Sequence, residues 1–384
     1  MTEDRKERRN VPNLRFPEFT GEWEWHKLGD IADISKGSGI SKDQLSEQGQ
    51  PCILYGELYT KYKSEIIRKI ISRTDIDNRS LVRSQTNDVV IPSSGETAID
   101  IATARYIPFS DILLGGDLNI IRLKRDNGGF LSYQLNGIRK RDIAKVAQGV
   151  SVIHLYGDSL KKLDVAICSP EEQSKIISFL SLLDKRIETQ NKIIEDLKLL
   201  KSTIRNLLFK ALKKVNSETR TVRNALDYEQ PAKYIVESAD YHNDSTLTPV
   251  LTANKAFVLG YTSENYGIYD KGECIIFDDF TMDMKYVDFP FKVKSSAIKI
   301  LTSKPGTNLR YIFEYLSFLN LTSSDHKRHY ISEVESMPIY ISEIDVQDRF
   351  SNLFSFLDKK IEIELHCNNL FIKQKQYLLR HLFV

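Results

Sequence analysis

SPEEQSKIISFLSLLDKRIETQNKIIEDLKLLKSTIRNLLFKAL, residues 169 to 212, decides the fold. It opens with a helix start: Ser169 suits the N-cap, Pro170 the first helical position, and Glu172 completes a capping box. Apolar residues then recur in a 4-3 spacing at Ile176, Leu180, Leu183, Ile187, Ile194, Leu197, Ile204 and Leu208, with Gln190 and Lys201 as polar members of the same seam. This heptad pattern predicts a single coiled-coil helix over 169–215, roughly 60 Å long at 1.5 Å per residue. A lone helix of that length cannot cover its seam, so it needs a partner.

The partner lies further along the same chain. A shift of 174 positions carries Gln173 onto Gln347, Asp184 onto Asp358, Lys185 onto Lys359, Ile187 onto Ile361, Glu188 onto Glu362 and Lys201 onto Lys375. It also carries Leu208-Phe209 onto Leu382-Phe383. The second helix is predicted over 342–384, with the seam Phe350, Phe354, Leu357, Ile361, Phe371, Leu378 and Leu382. Its polar breaks are Glu364, Asn368 and Lys375, two of which coincide with Gln190 and Lys201. Polar seam positions cost stability but fix register. Unrelated amphipathic helices, each packed on its own domain, have no reason to share breaks, so the two are expected to pair antiparallel.

The other segments repeat in outline. Residues 1–20 read as an N-terminal arm, 21–168 as a first mixed domain and 216–341 as a second. The arm's aromatic-rich continuation is pinned by Phe16, Phe19, Trp23 and Trp25. In the first domain ILYGELY, DVVIPSSG and LNIIRLK read as strands, with Ser93-Ser94-Gly95 as a turn. Gly128 to Asp142 reads as one helix ending in Arg139-Lys140-Arg141, and the polar loop AQGVSVIH follows. In the second, TPVLTANKA, GECIIFDDF and SSAIKIL stand in the same order, then a helix from Thr307 to Asn320 and the polar loop LTSSDHKRHY. Tyr156 and Tyr330 obey the 174 shift and read as packing anchors. The fold class is therefore α+β: two mixed domains separated by two long helices in an antiparallel coiled coil, a pseudo-two-fold tandem repeat.

Composition excludes several classes. The chain has 384 residues, is 41% hydrophobic and 28% charged, and carries a net charge of +2, ordinary values for a globular protein. No apolar run is long enough to span a bilayer, and MTEDRKERRN has no apolar signal core. Cys52, Cys168, Cys274 and Cys367 are scattered, as expected of free thiols in a reducing cytoplasm. Phosphate-loop, dinucleotide, zinc-protease and nucleophile-elbow motifs are absent. Asn/Asp-Pro-Pro-Tyr/Phe, which surrounds a flipped base in amino-methyltransferases, is absent too. His326 and His329 lack a nearby cysteine or second metal pair. Asp278-Asp279 is a paired carboxylate near a strand end, open to readings as a solvated turn, as acceptors for cytosine amino groups or as a metal site. The expectation is a non-enzyme with no cofactor and no metal.

The two helices match each other better than the two domains do. A frame that stays alike while its heads differ suits a linear target with two separated elements, and B-DNA repeats about every 34 Å. Here the sequence resembles the specificity subunit of type I restriction-modification systems. The resemblance rests on LRFPEFTGEWEWHKLGDI (Leu14 to Ile31), on PEEQSKIISFLSLLDKRIE and on its echo from Val346 to Glu362. It implies two target-recognition domains, each reading one half of a bipartite duplex sequence, with the helix pair setting the spacer. It also implies a non-catalytic cytoplasmic subunit that docks two modification (methyltransferase) subunits, which methylate adenines, with restriction (translocase/endonuclease) subunits joining that core and no membrane involved. The LRFPEFTGEWEW segment precedes only the first domain, a departure from full symmetry. The alternative is a structural adaptor with two protein-binding heads on a coiled-coil rod.

Base reading needs donors and acceptors on loops, and basic groups for phosphates. In the first domain the candidates are Tyr55, Ser93, Ser94, Thr97, Gln148, Ser151 and His154, with Arg105, Arg139, Lys140 and Arg141 toward phosphate. In the second they are Thr252, Asn254, Lys255, Asp278, Thr281, Ser323, His326, Lys327, Arg328 and His329.

Overall fold

The computed structural model describes residues 10–76, 80–213, 218–254, 256–323 and 327–384. Residues 1–9 of the expected arm, and the candidates Lys255 and His326, lie outside the described residues. The chain forms two compact units, Met1–Asn191 with His366–Val384, and Lys192–Leu365.

The first unit is built on a four-stranded antiparallel sheet in the order Ala32–Lys36, Leu118–Leu123, Asp88–Pro92, Arg105–Ile107. Every residue of Asp88–Pro92 is buried, so DVVIP shows no polar alternation. A second sheet runs Leu45–Ser46, Ser72–Thr74, Gln50–Ile53, Leu113–Leu114, its last pair parallel. Glu24–Lys27 pairs with Asp164–Ile167 just before the first long helix. The second unit repeats this plan. Its main sheet runs Leu226–Glu229, Ile298–Ser303, Cys274–Asp278, Met284–Val287. Thr248–Leu251 pairs in parallel with Lys292–Val293, and Glu218–Thr221 pairs with Pro338–Ile341 before the second long helix.

Three expectations for the first unit change. ILYGELY is not one strand: it leaves the sheet at Ile53 and turns into the helical segment Glu57–Thr60. The buried Glu57 carboxylate accepts the Leu54 amide at 3.0 Å and takes Lys61 at 2.7 Å, which closes that turn. Ser94–Gly95 is not a plain turn but pairs with Ile153–His154. The expected Gly128–Asp142 helix splits into Gly128–Asn136 and Lys140–Val146. Gly137, between them, sits so close to the second long helix that a Cβ would lie 2.8 Å from the Leu379 carbonyl oxygen. The basic cluster therefore opens the later helix instead of ending the earlier one. In the second unit the expected helix appears as Leu309–Leu319, capped by Asn308, whose side chain accepts the Tyr311 amide at 3.0 Å.

The two long helices span Pro170–Leu212 and Ile344–His381. Ser169 caps the first, its hydroxyl accepting the Glu172 amide at 3.3 Å. The Glu172 carboxylate is taken by the Arg15 guanidinium at 2.8 and 2.7 Å, so only half of the capping box forms. Every predicted seam residue is buried or half-buried. Pairing within each unit is antiparallel. In the first, Asp184 meets Lys375 and Asn191 meets Asn368; in the second, Lys201 meets Asp358 and Phe209 meets Phe350. One number rises as the other falls by the same amount.

Residues 10–25 lie along the helix ends of the first unit. The Leu14 amide donates to the His381 carbonyl at 2.8 Å, Phe16 stands edge-on to Phe179, and Trp23 packs against Phe130 and Phe383. Among the described residues no helix is long and apolar enough to cross a membrane.

Candidate nucleic-acid interface

Each head is fastened to its helices by the same two devices. Gln173 accepts the Asn127 amide at 3.0 Å and donates to the Cys168 carbonyl and the Asp126 carboxylate, both at 3.0 Å. Gln347 accepts the Asn308 amide at 2.9 Å and donates to the carbonyls of Ser342 at 2.8 Å and Gly306 at 3.3 Å. Asn127 and Asn308 are the caps of Gly128–Asn136 and Leu309–Leu319, so in each unit a long helix and a head helix start from one buried amide.

The second device is an ion cluster at the polar breaks of the seam. Lys375 lies between Asp184, at 2.5 Å, and Glu65, while the Tyr133 hydroxyl donates to Asp184 at 2.6 Å. Burial works to lower the Lys375 pKa, but Glu65 and Asp184 outweigh it and hold it raised. Lys201 lies between Asp358, at 2.7 Å, and Glu314, at 3.0 Å, and Arg205 reaches Glu314 at 2.6 Å. Burial works to raise the Glu314 pKa, but Lys201, Arg205 and Arg310 leave it below the usual carboxylate value. Each lysine thus joins one carboxylate from the opposite helix to one from a head.

With the heads fixed, the central strands aim their ends at the candidate loops. Asp88–Pro92 leads into Ser93, Ser94 and Gly95, and Thr97 caps Ala98–Ile101 by accepting the Asp100 amide at 3.1 Å. The loop 148–154 returns beside it. Gln148 and His154 exchange backbone hydrogen bonds at 2.9 and 2.7 Å, and the Leu155 amide donates to Ser93 O at 2.9 Å. Lys140–Val146 packs on Ala98–Ile101. The structure therefore gathers Ser93, Ser94, Thr97, Gln148, Ser151 and His154 at one edge, with Thr97, Gln148, Ser151 and His154 exposed. Arg141 is exposed on the adjoining helix, and Tyr55 is half-buried against the core around Ile53 and Leu58.

The second unit places a different surface at the matching edge. Asp278 accepts the amides of Phe280 and Thr281 at 2.9 and 3.0 Å. The His329 amide donates to Asp279 O at 2.9 Å, and the Tyr330 amide to the Asp279 carboxylate at 2.8 Å. Thr281, Ser323, Lys327 and Arg328 are exposed here; Lys327 pairs with Glu333 at 2.9 Å and Arg328 lies 5.7 Å from the Phe280 ring centre. Thr252 and Asn254 sit on a different turn, with Thr252 buried and Asn254 exposed.

Several candidates are spent on the fold. Arg105 is buried and donates to the carbonyls of Leu58 and Tyr62 at 2.9 and 2.8 Å, so it braces a loop instead of facing a phosphate. Arg139 stacks on Trp25 at 4.6 Å and donates to the Val384 carbonyl at 2.9 Å. Lys140 is half-buried and donates to Thr103 at 3.2 Å; burial foremost, with Arg105 beside it, lowers its pKa. Ser93, Ser94, Thr252 and Asp278 are buried, and the Asp278 carboxylate is occupied by two amides. His329 is buried, with Nδ1 facing Glu333 at 3.2 Å. Asp279 faces Lys299 at 3.5 Å, so the paired carboxylates form a structural turn. Among the described residues no cluster of three His, Cys, Asp or Glu side chains is placed to hold a metal.

Tyr330 is the buried anchor expected, but Tyr156 is not: it is 49% exposed and stacks on His154 with ring centres 6.2 Å apart. Tyr156 and the exposed Val150 and Val152 belong to the first patch and were missed as surface groups. Two valines inside an otherwise polar loop were the available signal.

Residues 20–199 match the family described as type I restriction modification DNA specificity domain. A relative from Escherichia coli, the type I restriction enzyme EcoR124I/EcoR124II specificity subunit, is 41% identical over 181 residues, 44% of this chain. The match spans 45% of that relative's length, less than half. The fold is that of a type I restriction-modification S subunit from M. genitalium, with TM-score 0.66 and 16% identity over 97% of this chain and 99% of the other. A chain from a structure showing complex assembly and conformational transition of the type I R-M system gives TM-score 0.52 and 12% identity over 93% and 96%. Residues 20–199 thus resemble the type I restriction modification DNA specificity domain, and the fold of the whole chain is similar to that of type I restriction-modification S subunits.

Proposed function

We propose that this chain is the non-catalytic DNA specificity subunit of a type I restriction-modification complex. Residues 21–168 and 216–341 act as its two target-recognition domains, each reading one half of a bipartite duplex sequence. The helix pair sets the spacer. The observation that carries this reading is a frame repeated twice with different reading edges. Both heads share one sheet order and the same Gln and Lys fastenings. Their exposed loops differ: Gln148 to His154 carries no charged side chain other than histidine, whereas Lys327 and Arg328 are exposed in the second. Identical supports with unlike loops suit recognition of two unlike half-sites, since base contacts come from local side chains.

Thr97, Arg141, Gln148, Ser151, His154 and Tyr156 form the first proposed contact surface. Asn254, Thr281, Ser323, Lys327 and Arg328 form the second. Two modification subunits supply adenine methylation and further contacts to the duplex, and restriction subunits join that core. Cys52, Cys168, Cys274 and Cys367 are all free, which suits work in the cytoplasm. The test is to express the full chain with its methyltransferase partners and sequence the methylated adenines. One bipartite motif that depends on this chain is expected; methylation without sequence preference would instead favour the adaptor reading.

A further inference from the structure

Val150 is 97% exposed, and Val152 is 50% exposed. Both project from a loop whose base is closed by the paired backbone hydrogen bonds of Gln148 and His154. Gly149 has φ +134°, and a Cβ there would lie 2.0 Å from the Val152 carbonyl oxygen, so only glycine allows so tight a crossing. The loop is thus a narrow hairpin tip and not a slack connection. It sits on Ser94–Gly95, at the edge where Thr97, Gln148, Ser151 and His154 converge. From Val146 to Tyr156 there is no Asp, Glu, Lys or Arg. An isopropyl group held out in water adds nothing to the core, and the loop itself carries no carboxylate to repel a phosphate backbone.

Resting on the proposed function, we infer that Val150 is a specificity-determining residue of the first head that reads the C5-methyl group of a thymine in the major groove. A two-stranded ribbon fits that groove, and the thymine methyl is the apolar feature that distinguishes its edge there. Valine has no donor or acceptor, so beside a base edge it can favour only an apolar neighbour. Gln148 and Ser151, flanking it, supply the polar contacts that fix register on the adjoining pairs.

The test uses the full chain assembled with its methyltransferase partners and a randomised duplex library. Wild type and Val150→Ala are each selected on the library, and the preferred duplex is remade with uracil replacing thymine at single positions. Wild type is expected to lose about fourfold in affinity at one thymine of one half-site, the worth of one methyl-sized contact. Val150→Ala is expected to bind thymine and uracil duplexes alike at that position and to keep all other preferences. Val150→Thr, which keeps the shape but replaces one methyl with a hydroxyl, is expected to lie between them. If wild type selects a bipartite sequence yet tolerates uracil everywhere, or if Val150→Ala keeps every wild-type preference, the inference is wrong while the proposed function stands. Weakened assembly with unchanged base preference would mark Val150 as a protein contact and overturn it. A wild-type complex that selects no sequence would overturn the proposed function together with it.

Discussion

Lys201 and Lys375 stand at equivalent positions on the two long helices, and each closes an ion pair with the aspartate equivalent to the other's partner: Lys201 with Asp358, Lys375 with Asp184. A pair at least partly buried in this way adds little net stability compared with apolar packing, but breaking one partner is costly. Its use is to forbid other registers, because a helix sliding along its seam would strand a buried charge. Each lysine also binds a carboxylate from a head, Glu314 or Glu65, so helix register and head placement are fixed together.

Glu314 gives this a pH dependence. Its folded-state pKa is lowered, so its contribution is present above the ordinary glutamate value and is lost as pH falls through the folded value. Glu314→Gln should destabilise the second unit at neutral pH by about 3 to 5 kcal/mol, leaving Lys201 and Arg205 without their shared carboxylate. The gap between variant and wild type should narrow as the solution is made more acidic. Denaturant unfolding followed across pH measures it; a gap that stays constant from neutral to acid would contradict the assigned ion cluster.

Gln173 and Gln347 should behave as duplicates. Gln173→Ala leaves the half-buried Asn127 amide without its acceptor, and Gln347→Ala does the same to Asn308. Each should cost about 1 to 3 kcal/mol. Amide exchange should quicken in Gly128–Asn136 for the first variant and in Leu309–Leu319 for the second. Loss of protection in neither helix would show that these contacts do not hold the heads.

Burial separates readers from braces. Arg105→Lys should lower stability, since the two carbonyls held by the guanidinium fork lose a donor geometry lysine cannot copy. It should leave base preference untouched. Gln148→Ala, at an exposed loop position, should leave unfolding unchanged within about 0.5 kcal/mol and alter preference in one half-site only. Duplex selection with each variant complex checks both; a base-preference change from Arg105→Lys would move it back among the readers.

What the sequence shows well is whatever repeats. The 4-3 spacing from Ile176 to Leu208 and the 174 shift between Lys201 and Lys375 locate both helices, their antiparallel pairing and the sites of the polar breaks. The buried strands DVVIP and LNIIRL are legible because a covered strand reads as an apolar run. Direction of a side chain in a loop is not legible. Arg105 lies on a strand edge and turns inward to backbone carbonyls, and His329 is buried where its backbone amide donates to Asp279 O, while Tyr156 turns out to stack on His154. The choices of Arg105 and His329 depend on chain segments distant in sequence, which no local pattern encodes. The split at Gly137 has the same origin, because its neighbour Leu379 lies on the other long helix.

Exchange of one head tests the central claim most directly. Residues 221–341 are replaced by the second domain of another specificity subunit, with both long helices kept, and methylated adenines are sequenced in cells that also make the methyltransferase partners. The account predicts that one half of the bipartite motif changes while the other half and the spacer stay as they were. A change in both halves, or in neither, would contradict it.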